Sequence, residues 1–383
     1  MKLRLCPFLA AISIAIAASP AWTARRPRYG GTLRLEIAAV LNSLEPAAAS
    51  LNVDQAEAQE QVDSLLYDQR GSDGKFIGPA GSGAFRVSEW EPGKRLVLAA
   101  NEDYSGGRAF IDSIDIRMGH SAADRLLALE LDKADLAEIE PDKARDAAEH
   151  GIRLSVSRPD ELIALVFFPG RSATQDARTC EAISRSIDRS SIVSFILQRQ
   201  GEPAGALLPQ WSSGTAFLFS TAPDPITAKE ISHQISTTTK IVVGYDLADT
   251  LEKAMAERIA VDAREAGVAL AVEPVTPAER KSGKLDAELV RLRMISSSPR
   301  ESLVRFVSTL EPLTGLDPSP VPGGASADQL YEIERNILSS YRVVPLVWVP
   351  EVYGLSARVR NWTMPPVGGP WPFADVWLEQ QQQ

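Results

Sequence analysis

An α/β fold of two domains is what this sequence predicts, and three observations predict it. Strand-like runs alternate with helical runs of about ten residues or more along most of the chain. One run, LIALVFFP (162–169), is apolar at nearly every position, as in a strand covered on both faces. A length of 383 residues exceeds what one core usually serves and favours about two domains. Alternation of this kind points to largely parallel sheets.

The first element is a leader. MKLRLCPFLAAISIAIAASPAWTA places Lys2 and Arg4 ahead of an apolar run from Leu5 to Ala18, followed by small residues at Ser19-Pro20-Ala21. That is the layout of a secretory signal peptide, and the run falls short of the ~20 residues a membrane span needs. Residues 1–24 are therefore expected to be removed, with the mature chain starting between Trp22 and Arg25 outside the cytoplasm. Cys6 would leave with them, and Cys180 would remain with no internal disulfide partner.

A short basic linker, RRPRYGG, leads into the strand TLRLEIAAV and the turn LNSLEPA. VDQAEAQEQVDSLLYD has its apolar residues at helical spacing, and QRGSDGKFIGPAGSG is loop. FRVSEW, Glu91-Pro92-Gly93-Lys94 and RLVLAAN make a hairpin. Strict alternation would put Phe85, Val87 and Glu89 on one face and Arg86, Ser88 and Trp90 on the other. FIDSIDIRMG is a strand. SAADRLLALELDKAD is a helix capped by Ser121 with Asp124 at the capping-box position. DLAEI is a short strand, and PDKARDAAEHG is a helix between Pro141 and Gly151. IRLSVSRP and LIALVFFP are strands, and residues 176–201 read as one or two helices meeting near Asp188. ITAKEISHQIS is a helix with Thr227 and Glu230 as capping pair. KIVVGYD and VALAVEPV are strands flanking the helix LADTLEKAMAERIAVDAREAG. SADQLYEIERNILSSY is a further helix, and VVPLVWVPEVYGL reads as a strand.

Composition and motifs exclude several function classes. A formal charge of −10, which becomes more negative without the leader, offers no electrostatic footprint for nucleic acid or anionic lipid. His120, His150 and His233 stand apart, in no metal-ligand spacing. No GxSxG elbow is present, and Gly81-Ser82-Gly83 runs into a strand with Arg86 where a dinucleotide loop needs glycine. The acidic run Asp132, Asp135, Glu138 and Glu140 reads as a solvated edge. The chain is thus read as no enzyme, with no cofactor and no metal. Trp211, Trp348, Trp362 and Trp371 lie in or beside Pro/Gly-rich segments, where large rings can line a cleft.

The segment GSGAFRVSEWEPGKRLVLAANEDYSGG resembles a pattern of the family 5 extracellular solute-binding proteins, the dipeptide-, oligopeptide- and nickel-binding components of ABC importers. Further blocks follow in family order: GGTLRLEIAAVLNSLEPA, FIDSIDIRMGHSAADRLLALELDKADLAEI, CEAISRSIDRSSIV and NILSSYRVVPLVWVPEVYGLSARVRNW. The resemblance implies a two-lobed, Venus-flytrap fold of the type II periplasmic-binding-protein kind, with mixed sheets. Lobe I would take residues 25–165 and 345–383, lobe II residues 166–344, and the segment from Pro345 would pack with the first lobe. It also implies a peptide or other small solute held between the lobes, ABC permease transmembrane subunits as partners and a monomer; the alternative is a divergent scaffold or sensor without import function.

Three departures from the family pattern stand out. Asp73-Gly74 is followed almost at once by Gly81, so the family's accessory subdomain is largely missing. Ser298, in SSSPRES, stands where peptide binders carry the aspartate that holds the ligand's amino terminus. Phe168-Pro169 replaces the hinge asparagine. Weak binding of free di- and tripeptides is the consequence, with Trp211, Arg300 and Trp371 as the expected cleft residues, suited to an anionic or aromatic group. Arg300 could equally be a solvated residue at a helix start.

Overall fold

In the computed structural model, described over residues 27–44, 53–66, 83–215, 219–235, 240–276, 284–316 and 321–379, the hairpin shows how local sequence sets the frame. Strands β1 (Thr32–Ile37), β2 (Phe85–Glu91) and β3 (Arg95–Ala100) enter the first sheet, with β2 and β3 antiparallel around the turn in which Lys94 N–H donates to the Glu91 carbonyl. The register slips between Val87 and Glu89. This bulge puts an extra residue at Ser88 and reverses the alternation beyond it. Trp90 therefore joins Phe85 and Val87 against the first core, and Glu89 turns to solvent. The expectation that Glu89 shares the Phe85 face is corrected by that one residue.

The first sheet is completed by β4 (Ser113–Met118), β5 (Leu136–Glu138), β6 (Arg153–Val156) and, late in the chain, β13 (Val352–Leu355), in the order β2-β3-β4-β1-β5-β13-β6. The second sheet contains β7 (Glu161–Phe167), β8 (Glu202–Pro203), β9 (Ile241–Asp246), β10 (Leu270–Val275), β11 (Ala287–Arg293) and β12 (Val343–Val349), in the order β10-β9-β11-β7-β12-β8. A small ribbon pairs β14 (Val359–Arg360) with β15 (Trp377–Leu378). Only the pairs β1–β4, β1–β5, β9–β10 and β9–β11 are parallel; the other pairs among the described residues are antiparallel. Hairpins and returning strands override the βα alternation, so the sheets are mixed and not largely parallel.

β7 is buried at every position. Ile163, Leu165 and Phe167 face a core closed by helices Ala177–Ser186 and Thr250–Glu265, while Leu162, Ala164 and Val166 face one closed by Pro299–Thr314 and Ala327–Leu338. Two-sided burial explains its nearly continuous apolar composition. Helix Pro225–His233 is capped by Asp224, whose carboxylate accepts from Thr227 N–H, so the cap lies three residues before the expected Thr227. The helical stretch after Asp176 breaks at Ile187, and Asp188 caps a second short turn through Ser191 N–H.

The chain crosses between the sheets at Ser157–Asp160 and at Pro350–Glu351. These crossings are bonded to each other: Ser157 N–H donates to the Glu351 carbonyl at 2.9 Å, Glu351 N–H donates to Ser157 Oγ at 2.9 Å, and Asp160 N–H donates to the Val349 carbonyl at 3.1 Å. The expected division at 165/166 and 344/345 moves accordingly. All of β12 lies in the second sheet, and Trp348 packs in the core of Leu162, Phe306 and Leu330. Pro350, without an N–H, ends the apolar run there, and only the residues after it return to the first sheet. The expected leader, residues 1–24, and the segment around Asp73-Gly74 lie outside the described residues.

Candidate ligand cleft

Beside the two crossings the sheets face each other across a cavity of about 150 Å³. The carboxyl ends of the parallel strands β1 and β5 open onto it, contributing Ala38, Ala39, Glu138 and Glu140. Strand carboxyl ends are where α/β sheets usually place their ligands. Helix Val53–Leu66 adds Ala58 and Gln61, the returning chain adds Glu351, Tyr353 and Trp371, and the second sheet supplies Glu161, Arg291 and Arg293 with Asp249.

Strand periodicity brings the two arginines together. Arg291 and Arg293 are two residues apart on β11 and so share one face. Arg291 spans the second-sheet wall: Nη1 meets Glu161 Oε2 at 2.8 Å, Nη2 meets Asp249 Oδ2 at 2.5 Å, and Nε lies 3.5 Å from Glu252 Oε1. Asp249 also caps helix Thr250–Glu265, accepting from the Leu251 and Glu252 N–H groups, which fixes the carboxylate that Arg291 meets. Arg293 pairs with Glu351 on the crossing and reaches Glu161 Oε1 at 3.4 Å. Burial weakens the charge on Arg291, but Glu161, Asp249, Glu140 and Glu252 outweigh it and hold its pKa well above the ordinary value. Burial likewise opposes ionisation of Glu161, yet Arg293 and Arg291 hold its carboxyl below the usual range.

The first-sheet wall is acidic and less fully paired. Arg125, almost wholly buried, donates to the Glu138 and His120 carbonyls and to Glu140 Oε1 at 2.9 Å. Glu138 accepts from Ala38 N–H at 2.7 Å through Oε2. Burial pushes Glu138 up to about 7 against the opposing pull of Arg125 and that N–H. Next to Glu351, burial and the neighbouring carboxylates push Asp160 up to about 8.

The sequence-derived residues fare differently. Trp371 lies on the cleft wall, its backbone N–H donating to Gln61 Oε1 at 2.7 Å and its indole to Tyr353 Oη at 3.3 Å. Trp211 does not line the cavity: its indole donates to the Pro159 carbonyl at 2.9 Å, with the Arg158 guanidinium 5.7 Å from the ring centre, so it braces the first crossing. Arg300, near the start of helix Pro299–Thr314, donates to the Pro322 and Val321 carbonyls, and Ser298 caps that helix. The run read as a solvated edge is a correction. Asp135 is fully buried in a bidentate pair with Arg34, and Glu138 and Glu140 line the cleft. Sequence reasoning left 287–293 unassigned, although the alternation VRLRM carried a strand signal that would have found both arginines. With five acidic residues and two arginines on the wall, the cavity does not suit the anionic group expected from Arg300.

The residues match the family described as bacterial extracellular solute-binding proteins, family 5 middle, over residues 40–311. The chain belongs to this family. Among curated relatives it is 24% identical over 127 residues to the oligopeptide-binding protein AppA of Bacillus subtilis, a stretch covering 33% of this chain and 23% of that protein. It is also 24% identical over 141 residues to the nickel-binding protein NikA of Staphylococcus aureus, covering 36% and 28%. The matched stretches thus span about a quarter of those relatives. The B. subtilis AppA structure in complex with a nonapeptide aligns with a TM-score of 0.72 at 12% identity, covering 93% of this chain and 100% of that one. S. aureus NikA in complex with Ni(L-His)2 aligns at 0.65 and 16% identity, covering 78% and 69%. The fold is therefore that of the family 5 binding proteins, α/β with mixed sheets.

Close packing near the cleft gives a direct test. Gly368 has φ +67, and a Cβ there would lie 2.0 Å from the Ile295 carbonyl oxygen just beyond β11. Gly368→Ala must push the loop carrying Trp371 away from the second sheet. Urea unfolding is expected to show a loss above about 1 kcal/mol, while Gly323→Ala, where nothing lies within 4 Å, stays within about 0.5 kcal/mol.

Proposed function

We propose that this chain is the extracytoplasmic solute-binding component of a peptide-type ABC importer, working as a monomer and delivering its solute to the transmembrane subunits of a permease. The lobes would be the two sheets with their helices, joined at Ser157–Asp160 and Pro350–Glu351. Hinge closure about two such strands buries a ligand and presents a joint surface to a partner. The observation that carries this reading is the cavity at the crossings, walled by both sheets and by the carboxyl ends of β1 and β5. Family membership and the leader-like residues 1–24 support export.

One observation favours the second reading, a scaffold or sensor without import. A cavity of about 150 Å³ is smaller than the ~300–1,000 Å³ of ordinary ligand pockets. A thermal-shift panel of peptides, sugars and metal–chelate complexes separates the two. A solute at about 100 times its Kd adds roughly 2.7 kcal/mol of stability. The exposed cleft-wall substitution Ala38→Trp is expected to abolish that shift. No shift across the panel, or one that survives Ala38→Trp, would favour the second reading.

A further inference from the structure

Asp160 is tied to both hinge strands and to the end of β11. Its backbone N–H donates to the Val349 carbonyl at the end of β12, and its carbonyl accepts from Met294 N–H at 2.9 Å, just beyond β11. The residue is 5% exposed, and its Oδ1 is buried with no hydrogen-bond partner among the described residues. Three charged groups face the carboxyl: Glu351 from the second crossing, Arg293 from β11 and Glu161 from the start of β7. Arg293 already pairs with Glu351 and with Glu161, and Glu161 has Arg291 as well. Three carboxyl groups thus converge on Arg293, and Asp160 is the one whose buried oxygen has no donor. A proton suits such a group better than a charge does.

We propose that Asp160 is a proton-operated pin in the hinge: while its carboxyl holds a proton the crossings keep the arrangement seen here, and its ionisation loosens them. The inference rests on the lobes moving about the two crossings and adds what sets that motion.

An ionised Asp160 at this depth needs a donor or water. Arg293 can serve it by turning away from Glu351, which removes an ion pair between β11 and the second crossing. Water can serve it if the first crossing shifts away from Val349, which breaks the bond from Asp160 N–H. Either route slackens a crossing. In the tight arrangement burial and the Glu351 charge raise the Asp160 pKa to about 8 against the pull of Arg293, with Glu161 adding to the rise. In a loosened, hydrated arrangement it returns toward the ordinary carboxylate value. The tight arrangement therefore keeps a proton that the loosened one releases. Its advantage is complete below the ordinary value. The ratio of loosened to tight chains then rises by up to about tenfold per pH unit until about 8, and levels off above that.

Distances between spin labels on the two lobes test the proposal. Asp103→Cys and Ile226→Cys give exposed labelling positions on the first and second lobes, in a chain that also carries Cys6→Ser. Cys180 stays unlabelled, because it is buried and its thiol is pushed up to about 12. The distance distribution is recorded between about pH 5 and 9.5, with circular dichroism confirming the fold at each pH. The fraction of chains outside the narrow low-pH peak is expected to rise at least about threefold between about pH 6 and 8.5. Asp160→Asn, which cannot ionise, should keep the low-pH distribution throughout, and Asp160→Ala serves the same purpose if the asparagine variant fails to fold. A rise of the same size in the non-ionising variant would overturn the pin and leave the hinge standing. So would one narrow distance at every pH, provided that Glu351→Ala, which unties Arg293 from the second crossing, broadens it. One narrow distance at every pH in the parent chain and in Glu351→Ala alike would overturn the pin and the hinge together.

Discussion

Arg291→Ala is expected to destabilise the protein by about 3–5 kcal/mol, the range seen when one partner of a buried ion pair is removed. The cause is what it leaves behind: Glu161 and Glu252 are almost wholly buried, Asp249 is partly so, and Arg291 meets all three. Removing it strands negative charge in a cavity wall that also holds Glu138, Glu140 and Glu351. Arg291→Lys keeps the charge but cannot reproduce the fork that reaches Glu161 and Asp249 together, so it should recover only part of the loss. Acid should rescue the alanine variant, because protonation removes the stranded charges. Urea unfolding at pH 7 and pH 5 measures both effects. A loss under about 1 kcal/mol at pH 7, or no narrowing of the gap at pH 5, would show that the arginine is not the keystone of that wall.

Stability is expected to fall as pH rises from about 5 to 8.5, the reverse of what paired surface carboxylates would produce. Three groups have raised pKa values in the folded chain: Glu138 at about 7, and Asp160 and Glu334 at about 8. In each case burial is the leading cause. Between the ordinary carboxylate value and these raised values, the folded chain binds protons that the unfolded chain has released. Their contribution is complete below the unfolded pKa and is lost as pH climbs through the folded one, at up to about 1.4 kcal/mol per unit for each group. Groups held low act elsewhere. Glu161, Asp188 and Asp224 contribute above the usual carboxylate range and lose that contribution only in acid. Glu334 gives the cleanest isolation, because its carboxylate accepts from the Leu207 and Leu208 N–H groups, and none of these three residues lines the cavity. Glu334→Gln keeps an acceptor for those donors and removes the titration. Denaturant unfolding across pH 5–8.5 should show a shallower slope in that variant. A wild-type slope of zero or of opposite sign would contradict the assignment.

What the sequence made legible was set by local physics. The turn Glu91–Lys94, the cap at Ser121 and the two-sided strand β7 follow from turn chemistry, capping and burial that act over a few residues. Features that depend on distant partners were less visible. The bulge at Ser88 arises from pairing with β3, and it turned Trp90 onto the core face against simple alternation. Asp135 looks solvated in a run of acids until Arg34, a hundred residues earlier, is placed beside it. The apolar run through Pro350 reads as one strand, yet its halves join different sheets, a division that only the tertiary path creates. Among the residues that line the cavity, Trp371 is singled out in the sequence by its Pro/Gly setting. Arg291 and Arg293 are not, because arginines on a buried strand run against the usual composition of such strands.

The most direct test of the account is a crystal structure of the protein purified from its own host with whatever solute it retains. Solute density is expected beside the two crossings, touching Glu138 or Trp371 on one side and residues of β11 or Asp249 on the other. Density confined to one lobe's outer surface, or an empty cleft in protein shown by mass spectrometry to carry a bound solute, would contradict it.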